Sequence, residues 1–443
     1  MVDKSTTPGV VSHVNTDILI LGAGASGLAC ARELSKKHQV IVLEGRDRVG
    51  GRILTHRPVS YPLPIDLGPE FIHGRPKETL SLLEESGLIA YDLSFRHFEA
   101  ARGKPKERPE AWDKVEELLE KLSCANAKDC SFKDFLDEHG KSIDAGTRKR
   151  AISYIEGFNA ADYGRISVQS ILKSNEEEEE IEGDRQHRLV GGYDQLIDAL
   201  ARSIKPPSRI EISSVVRSVS WSKNRVTVTA DTPAGSRTYR AKKAVIALPL
   251  GVLQLPADTK TGVRFEPELP TRKLLRDKLV MGNVIKLVLH CRSAFWEEMS
   301  HRDVSFIHAM DAPIPVWWTT HPLRTTLLTG WLGGARAEAR PLDRDSILRD
   351  AIASLSQIFH VPAKRIAEQI KDVHVHDWKN DPFSHGSYSY VAVGGVRAPA
   401  QVAKPINKTL YFAGEHTHTG LIGTVAGAIQ SGQRAAKEVL ANE

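Results

Sequence analysis

The chain has 443 residues, 41% hydrophobic and 26% charged, with a formal net charge of +5. This is an ordinary globular composition, long enough for two lobes, each with its own core. The basic residues form no tract, so nothing points to nucleic acid, and no run approaches the roughly 20 apolar residues that span a bilayer. Cys30, Cys124, Cys130 and Cys291 show no metal-ligand spacing and suggest no disulfide framework. Residues 1–15 are polar without an apolar signal core, and the C-terminus carries no membrane tail, so a cytoplasmic location is expected. The weak positive balance gives no long-range attraction for a polycation, which a local acidic mouth would override.

The first predicted element is a short branched apolar strand over 18–21. It enters Gly22-Ala23-Gly24-Ala25-Ser26-Gly27, a G-x-G-x-x-G, and a helical pattern follows through Leu28, Ala31 and Leu34. A second apolar run, 40–43, ends at Glu44. Gly22 permits the tight turn, Gly24 admits a pyrophosphate to the backbone, and Gly27 lets helix and strand pack closely. Ala25 and Ser26 open the helix, whose free N–H groups and positive dipole end face the phosphates. Glu44 accepts from ribose hydroxyls. Strand, turn, helix, strand and acid in register predict a dinucleotide site.

The continuation Gly45-Arg46-Asp47-Arg48-Val49-Gly50-Gly51-Arg52 completes an E-x-x-x-R-x-G-G-R with Glu44. It resembles the signature of the FAD-dependent amine oxidase superfamily. The resemblance implies that Gly45, Arg46, Gly50, Gly51 and Arg52 stand against FAD. It also implies that Leu67, Gly68 and Pro69 pass beside the flavin ring. His73, in the following Phe71-Ile72-His73-Gly74, resembles the tunnel histidine of animal spermine and acetylpolyamine oxidases; Glu70 is the weaker candidate.

From 77 to about 172 the pattern reads as mainly helical, with Leu80, Leu83 and Leu88 on one face, as an inserted subdomain that roofs the active site. Residues 103–109 read as an exposed connection. Glu176 to Glu180 are five consecutive glutamates, read as a solvated loop or, alternatively, an acidic rim for a cationic amine. Gly191-Gly192 precedes a helix face of Leu196, Ile197 and Leu200. Strands over 210–213 and 226–229 follow; in relatives a valine after the first touches the adenine, here Val215 or Val216, of which Val216 is assigned. A further strand over 244–248 leads into Pro249-Leu250-Gly251-Val252-Leu253.

Residues 281–296 read as a strand around Lys286, and a lysine in so apolar a run needs a partner. The resemblance assigns it a water held against flavin N5. Strands over 316–318 and 327–332 and a helix over 343–359 follow. The W-x-x-D-x-x-x-x-G-S-Y-S pattern from Trp378 places Trp378 at the cofactor and makes Tyr388 one wall of an aromatic sandwich. Residues 409–436 read as strand, turn and helix. Gly414 and Glu415 would face the pyrophosphate and ribityl chain. Thr424 stands where the second sandwich aromatic would be, and Val425 opens the last helix at the flavin.

The implied fold is α/β, with a Rossmann-like FAD lobe (14–76, 188–255, 392–443) and an α+β substrate lobe (77–187, 256–391). The implied partners are an amine and oxygen, with no metal. Lys286, His73, Tyr388 and Thr424 are the expected catalytic residues. Hydride leaves the amine α-carbon for the flavin, the imine hydrolyses to an aldehyde, and oxygen yields hydrogen peroxide. A polyamine-type substrate is favoured. Monoamine and L-amino-acid oxidation, or a non-catalytic flavin scaffold, remain open. No cysteine lies near Glu415 to Thr424, so the flavin is expected to be noncovalent.

Overall fold

Branched apolar runs build the central sheet. In this computed structural model, which describes residues 13–93, 96–100, 105–124, 128–141, 143–299 and 303–442, Ile18–Leu21 and Val40–Leu43 are buried throughout. They lie in a five-stranded sheet in the order Arg209–Glu211, Val40–Leu43, Ile18–Leu21, Lys243–Ile246, Leu410–Phe412. Every pairing is parallel. Such strands are covered on both faces, which explains uninterrupted rather than alternating apolar runs. The helix Ala25–Leu34 covers one face together with Val425–Ala441. A Cβ on Gly432 would fall 2.1 Å from the Ser26 carbonyl oxygen, so only glycine lets these helices approach.

On the other face lies a ribbon of Val215–Ser222, Arg225–Thr232 and Gly235–Ala241, edged by His13–Asn15 and Arg264–Glu266. Arg264–Glu266 lies beyond the expected boundary at 255 but still belongs to this lobe. The boundary at 76 is also too early. Leu82 and Leu83 of the helix Lys77–Ser86 pack into the same core as Leu28 and Leu196. This amphipathic face closes the FAD lobe and does not roof the site.

The second lobe is a seven-stranded sheet in the order Ile370–Val375, Val284–Cys291, Leu327–Gly333, Val316–Thr319, Phe306–His308, His97–Glu99, Lys106–Glu107. The last two strands interrupt the stretch read as helical. The expected connection at 103–109 falls partly on residues 103 and 104, outside the described residues, and otherwise contributes the edge strand Lys106–Glu107. Leu287, Leu289 and Leu328 on one face pack beneath Ile347, Leu355 and Ile358 of Arg344–Phe359. The other face is spanned by helices Pro109–Glu120, Phe132–His139, Ala145–Asn159 and Val168–Glu180, which share a separate core.

Val168–Glu180 overturns the loop reading of the glutamates. Ser167 caps the helix by accepting from the Ser170 N–H, and glutamate is a good helix former, so the run continues the helix to its end.

Candidate active site

A single continuous cavity of about 770 Å³ runs from the glycine turn to the underside of the helices. Apart from Gly27 and four of the five glutamates, every residue that the sequence places at cofactor or substrate lines it. Gly27 packs against the glycine turn itself: a Cβ there would lie 1.9 Å from the Gly22 carbonyl oxygen.

The dinucleotide end is built from backbone. Gly22 turns the chain at φ +107°. Gly24 caps the helix Ala25–Leu34 without any side-chain hydrogen bond, leaving the first-turn N–H groups free of intrahelical partners. A Cβ on Gly24 would meet no atom within 4 Å, so it would project into the cradle a pyrophosphate fills. Glu44 is buried at the end of the next strand and accepts from the Ala23 N–H at 2.8 Å and the Arg46 N–H at 2.9 Å. Burial pushes its carboxyl up, against those N–H groups. Each oxygen retains a lone pair for a ribose hydroxyl. This donor set fits a dinucleotide.

Arg46 and Arg52 frame the cradle through protein carboxylates. Arg46 grips Asp381 at 2.8 and 2.6 Å, and Ser384 at 2.8 Å. Arg52 donates to Glu415 at 2.9 Å and to the Ser387 carbonyl at 2.9 Å. Glu415 also accepts from Ser389 at 2.5 Å and from the Gly423 N–H at 3.0 Å. Burial raises its carboxyl, but Arg52 and these bonds outweigh burial and hold it below the usual range. Trp378 is buried and donates to the Leu67 carbonyl at 3.0 Å, fixing the segment through Gly68 and Pro69. Gly45 lies flat under Phe383, where a Cβ would come within 2.6 Å of the ring. Val216 lines the cavity at the start of its ribbon, as do Gly50, Gly51, Gly414 and Val425 at the turns.

Lys286 sits on the fully buried strand Val284–Cys291 and is 3% exposed. Its ammonium donates to the Gly68 carbonyl at 3.0 Å and pairs with Glu70 at 2.7 Å. A flavin-bound water was the partner expected from the sequence; the protein partner is Glu70. The same carboxylate holds Arg188 at 2.5 Å and accepts from the Trp318 indole at 3.3 Å. Burial raises Glu70, but Arg188 and then Lys286 prevail and hold it ionised.

His73 ends the strand Ile72–His73, edge-on to Phe158 with centroids 5.6 Å apart. Burial lowers it to about 4, so it is neutral near pH 7. The Tyr388 hydroxyl donates to the Phe158 carbonyl at 2.8 Å. Thr424 caps Val425–Ala441: it accepts from the Gly427 N–H at 3.0 Å and donates to the Leu421 carbonyl at 2.8 Å. On the Lys286 side the cavity forms a chamber walled by Phe71, Tyr154, Phe158, Phe306, Trp318 and Trp331. Of the five glutamates only Glu178 lines it, and burial pushes its carboxyl up to about 7. The wall aromatics and Glu178 were missed individually from the sequence, because they come from separate strands and helices with no shared local pattern.

A parallel-sheet dinucleotide cradle opening onto a buried chamber defines a two-lobed enzyme of the flavin-binding oxidoreductase class. Residues 25–440 match the flavin containing amine oxidoreductase family, and the chain belongs to it; its cofactor is FAD. The chain is 29% identical over 475 residues to polyamine oxidase 3 of Oryza sativa subsp. japonica, covering 98% of this chain and 90% of that protein. It is 26% identical over 462 residues to lysine-specific histone demethylase 2 of Homo sapiens. That match covers 96% of this chain but 54% of the demethylase, so the chain spans about half that relative's length. A solved putrescine oxidase with putrescine bound superposes with a TM-score of 0.81 at 21% identity, covering 97% of this chain and all of that one.

Proposed function

We propose that this chain oxidises a polyamine-type amine to an imine, with oxygen as electron acceptor and hydrogen peroxide as co-product. The observation that carries the substrate class is Glu178, a carboxyl with a raised pKa facing an aromatic chamber. A substrate ammonium would restore its charge, and aromatic faces favour a cation. Among the described residues the arginines lining the cavity, Arg46 and Arg52, are both engaged at the dinucleotide end, so none of them offers the chamber a clamp for an amino-acid carboxylate.

FAD supplies the hydride acceptor. Lys286, fixed between Gly68 and Glu70, holds a positive charge beside the segment expected to pass the flavin ring. That charge stabilises negative charge developing on oxygen. Neutral His73 binds an uncharged reacting amine without repelling it, and Tyr388, tethered to Phe158, forms a wall that aligns the α-carbon. The aromatic chamber excludes water from the reacting carbon until the imine leaves it. Peroxide release should be measured across polyamines, monoamines and amino acids. Polyamines should give the largest kcat/KM; a monoamine or amino acid as the best substrate would overturn the reading.

A further inference from the structure

The carboxylate beside Lys286 is shared with a cation that no step so far uses. Arg188 sits on the strand Gln186–Leu189, in register with Tyr91 of the strand Ala90–Asp92. It is 6% exposed and is not among the described residues that line the cavity. It stands behind the chamber wall, with its guanidinium over the Phe71 ring, 5.0 Å from the centroid. Its Nη1 donates to the Tyr91 hydroxyl at 3.3 Å. Its Nη2 holds one oxygen of Glu70 at 2.5 Å, and the other oxygen takes Lys286 at 2.7 Å and the Trp318 indole at 3.3 Å. The two cations share one anion, one on each oxygen.

Lys286 spends two of its three N–H donors on Gly68 and Glu70 and keeps one for the cavity it lines. Two carboxylates oppose its charge from the other lobe. Glu70 touches it, and Asp66, which burial pushes up to about 6 against the pull of Lys286, is mainly ionised near pH 7. Lys286 alone would leave this corner with a net negative charge, which repels charge developing on a reduced flavin and on oxygen. Arg188 cancels that excess from outside the cavity, so the charge nearest the reacting atoms is the ammonium. Unit charges about 8 Å apart, as one intervening carboxylate spaces them, shift an equilibrium by more than tenfold at an effective dielectric of about 20.

We propose that Arg188 is a positioning residue for the oxygen half of the reaction: acting through Glu70, it leaves the charge of Lys286 unopposed. In that step oxygen takes two electrons and two protons from reduced FAD and leaves as hydrogen peroxide. The proposal rests on the reading of Lys286 above and adds the residue that lets its charge act.

The test uses FAD-loaded protein carrying Arg188→Met or Arg188→Lys. The methionine removes one cation and leaves Glu70 in contact with Lys286, so this variant should fold and take up FAD; Arg188→Gln is a second neutral variant. Anaerobic dye-linked titration should place the two-electron flavin potential about 30 mV lower in Arg188→Met, the equivalent of a tenfold loss of stabilisation of the reduced form. Stopped-flow reoxidation by oxygen should slow at least about tenfold. Arg188→Lys keeps the charge and should restore most of both. Wild-type potential and reoxidation in the neutral variants, with Lys286→Met still slow, would overturn the proposal and leave the role of Lys286 standing. A loss in Arg188→Lys equal to that in Arg188→Met would trace the effect to the shape of the guanidinium and overturn the charge assignment. Wild-type reoxidation in Lys286→Met would remove the reading of Lys286 and the proposal with it.

Discussion

The ammonium of Lys286 and the carboxylate of Glu70 lie 2.7 Å apart, with side chains only 3% and 9% exposed. Glu70 also binds Arg188, so one anion balances two buried cations. The consequences of mutation are therefore asymmetric. Lys286→Met leaves Glu70 paired with Arg188 and bonded to Trp318, so fold and FAD content should survive. Reoxidation of the reduced enzyme by oxygen should slow at least about tenfold, a loss of ~1.4 kcal/mol, in stopped-flow mixing. Glu70→Gln leaves two cations unbalanced and should lower stability by about 3 kcal/mol in denaturant titration. Wild-type reoxidation in the first variant, or wild-type stability in the second, would contradict this account.

Two glycines of one motif should separate cofactor binding from folding. The Cβ of Gly24→Ala enters open space in the cradle, so the apoprotein should melt as wild type does while FAD affinity falls at least about tenfold (~1.4 kcal/mol). The Cβ of Gly27→Ala would collide with the Gly22 carbonyl, and soluble yield itself should drop. Thermal melts of apoprotein and flavin titration distinguish the two.

The flavin should be extractable. Cys30 and Cys291 are buried in the protein cores, Cys130 is half-buried, and none of the three lines the cavity. Acid precipitation of the yellow protein should leave FAD in the supernatant; colour retained in the pellet would show a covalent bond.

Glu178 should set an acid limb. Its carboxyl loses charge as pH falls through about 7, so KM for a cationic amine should rise below that pH. Glu178→Gln should flatten this limb and lower kcat/KM about tenfold, ~1.4 kcal/mol. Glu176→Gln and Glu180→Gln, which lie outside the cavity lining, should do neither.

Asp381 should reveal itself through acid stability. Burial raises its carboxyl, but His376 and Arg46 outweigh burial and depress it well below the usual range. A depressed acid stabilises fully above the unfolded value and loses that contribution as pH falls from about 4. Asp381→Asn strands Arg46 and should cost about 3 kcal/mol at pH 7, with the gap from wild type closing in strong acid. A constant gap down to pH 2 would exclude ionisation as the cause.

The dinucleotide half was readable because its chemistry is local. Strand, turn, helix and acid occupy 18–44, and each glycine answers a backbone demand within that stretch. Lys286 was readable as an anomaly, a charge inside an apolar strand. Its partner was not, because Glu70 is 216 positions away and reaches it only when the lobes pack. The glutamate run misled because charge repetition reports solvent, whereas a helix turns one of the five inward.

The parallel sheet has a consequence for how the protein is made. Its edge strand Leu410–Phe412 and the covering helix Val425–Ala441 come last in the chain, while its centre, Ile18–Leu21, comes first. A ribosome therefore releases an amino-terminal glycine turn that has no finished sheet to rest on until nearly all of the chain has emerged. Such non-local pairing slows folding and leaves apolar strands uncovered meanwhile. Chains shortened before residue 410 should go to inclusion bodies rather than accumulate as a flavin-free lobe, and growth medium enriched in flavin precursor should raise soluble yield by trapping the closed sheet.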